Sequence, residues 1–284
     1  MIIMKLQYTV FLLLLLSFFS YSQELYINTE PASLIPKGTK VVRLHHHSIF
    51  LNEDIEPGSQ SSARILIPQI SYGISKNIMV SAAFQISNNP FDISANPGFN
   101  GFKLYSKQRI LSTDKQKFHT RLSSFIKYAN HGKWKSPNYK FMKNNYDLDF
   151  QDSGLEFGLI ATQLIKKLAI SVTSGFGVIS NKTSDGTYDD KNFNSWHNSI
   201  SAGYLLFPRK YKSYKQTNFN IYLEYLTNSI ISNQYPYRYS KFISTVAPGI
   251  QFIIMSRSRL DFGYKIRKGE MANEFLVKLT YIIY

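Results

Sequence analysis

The chain has 284 residues, 33 Lys and Arg against 18 Asp and Glu, a formal net charge of +15, no cysteine, and 21 Phe, 20 Tyr and 2 Trp. Zero cysteine excludes disulfides, thiolate metal sites, thiol nucleophiles and a lipid-modified cysteine, while 44% hydrophobic residues with a mean hydropathy of −0.20 suit neither a disordered chain nor a helical membrane bundle. The basic balance alone points to an anionic partner such as nucleic acid, but the aromatic load fits a lipid–water boundary better.

The N-terminus reads as an export signal. Lys5 precedes the apolar run 10–19, and the small residues Ser20 and Ser22 follow it. A basic start, a short apolar stretch and small residues at alternate positions make a secretory signal peptide over 1–22, cleaved near Ser22. Export argues against nucleic acid as a partner. Residues 23–38 then form an N-terminal segment that either lies in the periplasm or tucks into a lumen. No later stretch reaches the 18 or so apolar residues of a spanning helix, the longest being 249–255, so a membrane-spanning mature chain must be a closed strand barrel.

From residue 39 to 284 the sequence alternates with period two. A less regular first strand over 40–51 carries His45, His46 and His47. In 64–74, Leu66, Pro68, Ile70 and Tyr72 oppose Ile67, Gln69 and Ser71. In 78–87, Val80, Ala82, Phe84 and Ile86 oppose Ser81, Ala83 and Gln85. Leu104 and Ile110 oppose Lys103, Lys107 and Arg109. Leu122, Ser124 and Ile126 oppose His119, Arg121 and Lys127. Leu155, Phe157 and Leu159 oppose Glu156 and Gly158. The rhythm repeats through 168–177, 196–206, 218–225, 245–254, 259–267 and 275–284. It sets Glu224, Asp261, Arg259, Lys265, Arg267 and Lys278 on the polar side. About twelve strands of roughly ten residues each match the length a tilted strand needs to cross a bilayer.

The connections alternate too. Turns of about three residues follow the second, sixth and tenth strands, and longer polar loops occupy 52–62, 88–100, 130–152, 181–194, 228–240 and 268–274. The turns at 112–117 and 208–217 are longer than that contrast predicts. Aromatics near strand ends (Tyr72, Phe84, Trp196, Tyr204, Tyr225, Tyr264 and Tyr281) suggest interfacial girdles. A soluble sandwich or lipocalin-like barrel would also alternate, but its polar face would not carry so many Lys, Arg and His among small residues. The expected fold is an all-β, antiparallel up-and-down transmembrane β-barrel, integral to the outer membrane and in contact with its lipid and lipopolysaccharide. One irregularity is Tyr284, which falls out of phase with Leu279 and Tyr281.

Three stretches carry a family resemblance: 158–164 (GLIATQL), 214–220 (YKQTNFN) and 247–253 (APGIQFI). Through them the chain resembles an uncharacterised family of outer-membrane β-barrel proteins of Bacteroidetes-type bacteria, loosely akin to transporter-like barrels. The likeness runs from the Glu30-Pro31-Ala32-Ser33 stretch onward. It implies location and fold, and hands over no catalytic or ligand residue.

The chemistry-bearing candidates are few. His45 and His47 share a strand face while His46 points away, so at most two of the three could bind one metal, and no carboxylate falls at a diagnostic spacing. They are the weak candidates for a metal site, and no cofactor is expected. His197 and Ser199 share a face, but no hydrolase motif surrounds them and the chain is not expected to be an enzyme.

The lumen charge is the more informative feature. Lys103, Lys107, Arg109, Arg121, Lys127, Arg259, Lys265, Arg267 and Lys278 fall on inner faces against Glu156, Glu224 and Asp261. Excess fixed positive charge in a narrow passage attracts anions and repels cations. That predicts a passive channel or small-solute transporter for small anionic or polar solutes. The alternative is a closed, structural or adhesive barrel acting through loops such as the one holding Lys133, Trp134, Lys135, Tyr139 and Lys140.

Overall fold

A computed structural model of the chain describes residues 26–50, 62–88, 96–115, 118–132, 148–149, 152–180, 192–208, 216–233, 241–267 and 273–284. Every regular element among them is a strand. In chain order these are β1 (Lys40–Phe50), β2 (Ser62–Gly73), β3 (Ile78–Ser87), β4 (Gly98–Asp114), β5 (Phe118–His131) and β6 (Ser153–Ile165), followed by β7 (Leu168–Ser180), β8 (Phe193–Phe207), β9 (Asn218–Ile230), β10 (Phe242–Ile254), β11 (Ser258–Arg267) and β12 (Glu274–Ile283). Each strand pairs antiparallel with its neighbours in sequence, and β1 pairs with β12 from Lys40↔Ile283 to Ile49↔Glu274, closing a twelve-stranded barrel. Closure leaves no unpaired strand edge.

The two faces of each strand have opposite chemistry. Ile70, Leu104, Ile126, Leu159, Ile200, Leu223 and Leu279 project from the outside of the wall and are exposed. Such an apolar exterior, far larger than the patches soluble monomers show, is a surface built for lipid. Tyr72, Tyr204 and Tyr281 lie outward near one end of the barrel, and Phe84, Trp196 and Tyr264 near the other. Ring-shaped side chains at the two margins fit the headgroup levels, where an apolar body and a polar tip are both accommodated.

The barrel has a turn end and a loop end. At the turn end, β6 and β7 join through Lys166 and Lys167 alone, and Lys166 takes the left-handed conformation (φ 54°) that tight hairpin turns require. Lys40, Tyr72 and Ile283 meet at this same end, so the start of β1 and the end of β12 lie there.

Two expectations change. β4 runs on to Asp114, so 112–114, expected in a turn, belong to the strand, and Lys115 N–H donates to the Phe118 carbonyl at 2.8 Å. The reason is a bulge between Arg109 and Leu111, which shifts the alternation so that Ile110 and Leu111 both face outward and the ladder continues as Ser112↔Arg121 and Asp114↔His119. Tyr284 is out of phase because it lies one residue beyond β12, with the Arg257 guanidinium 5.6 Å from its ring centroid.

Candidate functional site

Inward-facing polar side chains would be wet in an empty barrel, yet here most are buried. Lys107 is 1% exposed, and Glu224, Asp261 and Glu274 are fully buried. The lumen is filled by the chain's own N-terminal segment. Tyr26, Ile27, Ala32, Leu34 and Ile35 are all buried, and the polar contacts of this stretch reach β4, β5, β6, β7 and β12. The Tyr26 hydroxyl donates to the Ala169 carbonyl on β7 at 2.8 Å. Ala32 N–H donates to Thr162 Oγ1 on β6 at 2.8 Å, and Ser123 Oγ on β5 donates to the Ala32 carbonyl at 2.6 Å. Arg121 reaches Ser33 Oγ at 2.8 Å. Lys107 Nζ donates to the Pro31 carbonyl at 2.8 Å and pairs with Glu30 at 3.1 Å. Lys278 Nζ donates to the Tyr26 carbonyl at 2.5 Å.

Glu224 on β9 accepts several hydrogen bonds from the segment at once. Its carboxylate accepts Thr29 N–H and Thr29 Oγ1 at 2.8 Å each, and Asn28 Nδ2 at 2.6 Å. Hydrogen bonds to an ionised acceptor are roughly twice as strong as neutral ones, and stronger still where water is excluded. Burial raises the Tyr26 phenol above its ordinary pKa, so it stays a donor.

These partners fix the path of the segment. Tyr26 lies in the turn-end half, residues 28–30 reach mid-barrel, and the chain returns to the rim, where Gly38 N–H donates to the Gly73 carbonyl at 2.8 Å. Of the two sequence options for 23–38, the described part, from 26 onward, lies in the lumen. Small inner-wall residues make room for it: a Cβ on Gly73 would lie 2.1 Å from the Pro36 carbonyl oxygen, and one on Gly263 would lie 2.9 Å from Ile27. Tyr222 packs edge-on against Tyr26 at 6.1 Å, and its own ring lies directly over Gly249.

All nine basic residues assigned to inner faces, Lys103, Lys107, Arg109, Arg121, Lys127, Arg259, Lys265, Arg267 and Lys278, sit on inward positions of their strands, as do Glu156, Glu224 and Asp261. Three further carboxylates join them. Glu274, placed in a loop by the sequence reading, is the first inward residue of β12 and pairs with Arg267 at 2.5 Å, with Lys265 at 3.4 Å and with His47. Asp149, also assigned to a loop, returns to pair with Lys103 at 2.6 Å and Lys127 at 3.3 Å. Glu30 arrives on the N-terminal segment. Arg43 is an additional inward cation, donating to Ser71 Oγ at 2.8 Å. Glu274 and Arg43 were detectable in sequence, since each keeps phase with an inward neighbour (Lys278 and His45). Glu30 and Asp149 were not, because nothing local shows that a flanking segment will enter the lumen.

Above the N-terminal segment lies a chamber of about 120 Å³, floored by Tyr26–Pro31 and walled by Arg43, His45, Lys103, Lys127 and Lys278 among others. A smaller cavity of about 40 Å³ lies at the turn end, lined by Leu34, Ile35, Pro36, Arg259 and Thr280. The segment therefore stands between two voids.

His45 and His47 do share the inner face, stacked at 6.3 Å, and His46 points outward to Ser48 Oγ at 3.0 Å. Among the described residues no group of three or more His, Asp or Glu side chains is arranged to hold a metal ion. His197 Nδ1 faces Glu156 Oε1 at 3.3 Å. The expected loop-binding residues Lys133, Trp134, Lys135, Tyr139 and Lys140 lie outside the described residues.

No family model matches the chain, and no curated protein matches it. Solved barrels do. The NanC porin superposes with a TM-score of 0.50 over 85% of this chain and 98% of its own, at 11% identity. The KdgM porin gives 0.48 over 86% and 99%, at 7% identity. The translocator domain of the autotransporter NalP from Neisseria meningitidis gives 0.45 over 88% and 89%, at 6% identity. At such identities the likeness is one of fold: this chain has the architecture of the porin barrels.

Proposed function

We propose that the chain is an outer-membrane channel for small anionic or polar solutes, exported by its N-terminal signal, with the segment over 26–38 as an internal plug. The observation that carries this reading is the chamber: a cavity inside a lipid-compatible wall, bordered by more cationic than anionic side chains. Fixed cations in a low-dielectric passage raise the local concentration of anions and repel cations. Membership of a Bacteroidetes-type family stays with the three sequence stretches that suggest it.

Planar-bilayer recording tests the channel. The full chain should conduct weakly, a variant lacking residues 26–36 should conduct strongly, and both should favour anions. A deletion variant that folds yet carries no current, or prefers cations, overturns the reading.

The density of bonds holding the plug favours a second reading, a permanently closed barrel that works through its loops on lipopolysaccharide or another surface partner. It predicts no conductance with the plug intact under any voltage, and binding lost when residues 133–140 are deleted.

A further inference from the structure

We infer that the mid-barrel chamber contains a binding site for a compact multivalent anion, bearing phosphate or carboxylate groups, centred on His45 and Lys278. The inference goes beyond the channel reading, because a closed barrel could hold the same ligand.

Four observations converge. His45 and Lys278 are direct cross-strand partners on the inner faces of β1 and β12, and both line the chamber. Nε2 of His45 is buried and makes no hydrogen bond. Buried polar atoms without partners are rare and cost roughly 1–3 kcal/mol each, so one on a residue that lines a chamber calls for a partner. Lys278, 6% exposed, donates to a neutral carbonyl, Tyr26 O, and makes no ion pair, although Asp261 sits across the ladder from it on β11.

The acids nearby are engaged elsewhere: Glu274 by His47, Lys265 and Arg267, Glu30 by Lys107, Asp149 and Glu156 by Lys103, Lys127 and His197, and Asp261, the β11 neighbour of Lys278, by Gln251 Nε2 at 2.7 Å. Arg43 lies two positions from His45 on the same face and adds a further cation.

An ammonium directly across the ladder from a neutral imidazole N–H sets two donors side by side with no acceptor between them. An anion between them supplies that acceptor. It accepts from His45, neutralises Lys278, and avoids the penalty of an uncompensated buried charge. The volume sets the size class. A cavity of about 120 Å³ admits a tetrahedral oxyanion or a small dicarboxylate. Thr173, on β7, also lines the chamber, and its buried Oγ1 makes no hydrogen bond.

The test uses the full-length barrel in neutral detergent at constant ionic strength, titrated with inorganic phosphate by calorimetry against a chloride control. Saturable phosphate binding is expected, weakened at least tenfold in His45→Phe and in Lys278→Met, and unchanged in Lys76→Met on the exposed β2–β3 turn. Should His45→Phe fail to fold, ring nitrogen resonances of histidine-labelled wild-type protein carry the test, with the His45 signal assigned by its loss in His45→Gln. That signal should shift on phosphate addition.

Binding no tighter than chloride, wild-type affinity in both chamber variants, or a His45 signal indifferent to phosphate overturns the proposal. Phosphate binding without conductance keeps the site and rejects the channel. Anion conductance without phosphate binding does the reverse.

Discussion

Thr29 and Glu224 stand 195 positions apart in sequence, yet the Thr29 amide and hydroxyl both donate to one Glu224 carboxylate oxygen at 2.8 Å. This contact ties the N-terminal segment to the middle of β9 and makes the lumen a property of two distant parts of the chain. The same threonine has its Oγ1 2.7 Å from Ser201 Oγ on β8.

That proximity allows a direct test of the plug. The chain contains no cysteine, so a Thr29→Cys, Ser201→Cys double variant would report without interference. Hydroxyls in contact imply β-carbons close to the separation a disulfide spans. Oxidation should form the bond in nearly all molecules, seen as loss of free thiol, and should suppress conductance that returns on reduction. Free thiols persisting after oxidation would show that Thr29 is not held on β8.

Glu274 offers a stability test. It is fully buried and is shared by Arg267, Lys265 and His47. Removing one member of a buried ionic group leaves the others uncompensated, at a cost of about 3–5 kcal/mol. Glu274→Gln should therefore lower the denaturant midpoint of the refolded barrel by an amount of that order. Asp114→Asn, at a half-exposed pair with His119, should cost under about 1 kcal/mol by the same measurement.

Gly249 tests the packing of the inner wall. A Cβ there would lie 2.2 Å from the Tyr222 ring, which itself packs on Tyr26 of the plug. Gly249→Ala should destabilise by about 1–3 kcal/mol through overpacking. Gly98→Ala, where a Cβ meets nothing within 4 Å, should change the thermal midpoint little. Equal effects at the two positions would contradict the packed lumen.

Leu159 tests the solvent outside the wall. It lies at the middle of β6, outward and exposed. An arginine on a lipid face at the bilayer midplane costs about 2–4 kcal/mol, falling toward zero near the interfaces. Leu159→Arg should thus reduce insertion into lipid vesicles sharply, and Phe118→Arg at the turn end much less. A silent Leu159→Arg would mean that the wall faces water.

The wall was legible because its signal is local. Alternation through Val80, Ala82, Phe84 and Ile86, or through Leu155, Phe157 and Leu159, needs only neighbouring residues to show which face meets lipid. The inward cations followed by the same count. The extent of β4 was missed where the ladder shifts, at the bulge beside Arg109, since a one-residue offset in pairing is set by the partner strand and not by the strand itself.

The contents of the lumen followed a different logic. Glu30, Thr29 and Asp149 lie in segments with no period, and their partners Lys107, Glu224 and Lys103 are far away in the chain. The small inner residues Gly73, Gly249 and Gly263 carry no sign in sequence of what they face; in space they are the clearance for Pro36, Tyr222 and Ile27. The sequence by itself determined the barrel, its inside and its outside, because a period of two in a chain with no spanning helix allows few other membrane structures. Only the tertiary structure decided that the lumen is occupied and where charge remains uncompensated. Both depend on which distant groups meet inside a closed ring of strands, where the loss of water makes each pairing strong and each omission costly.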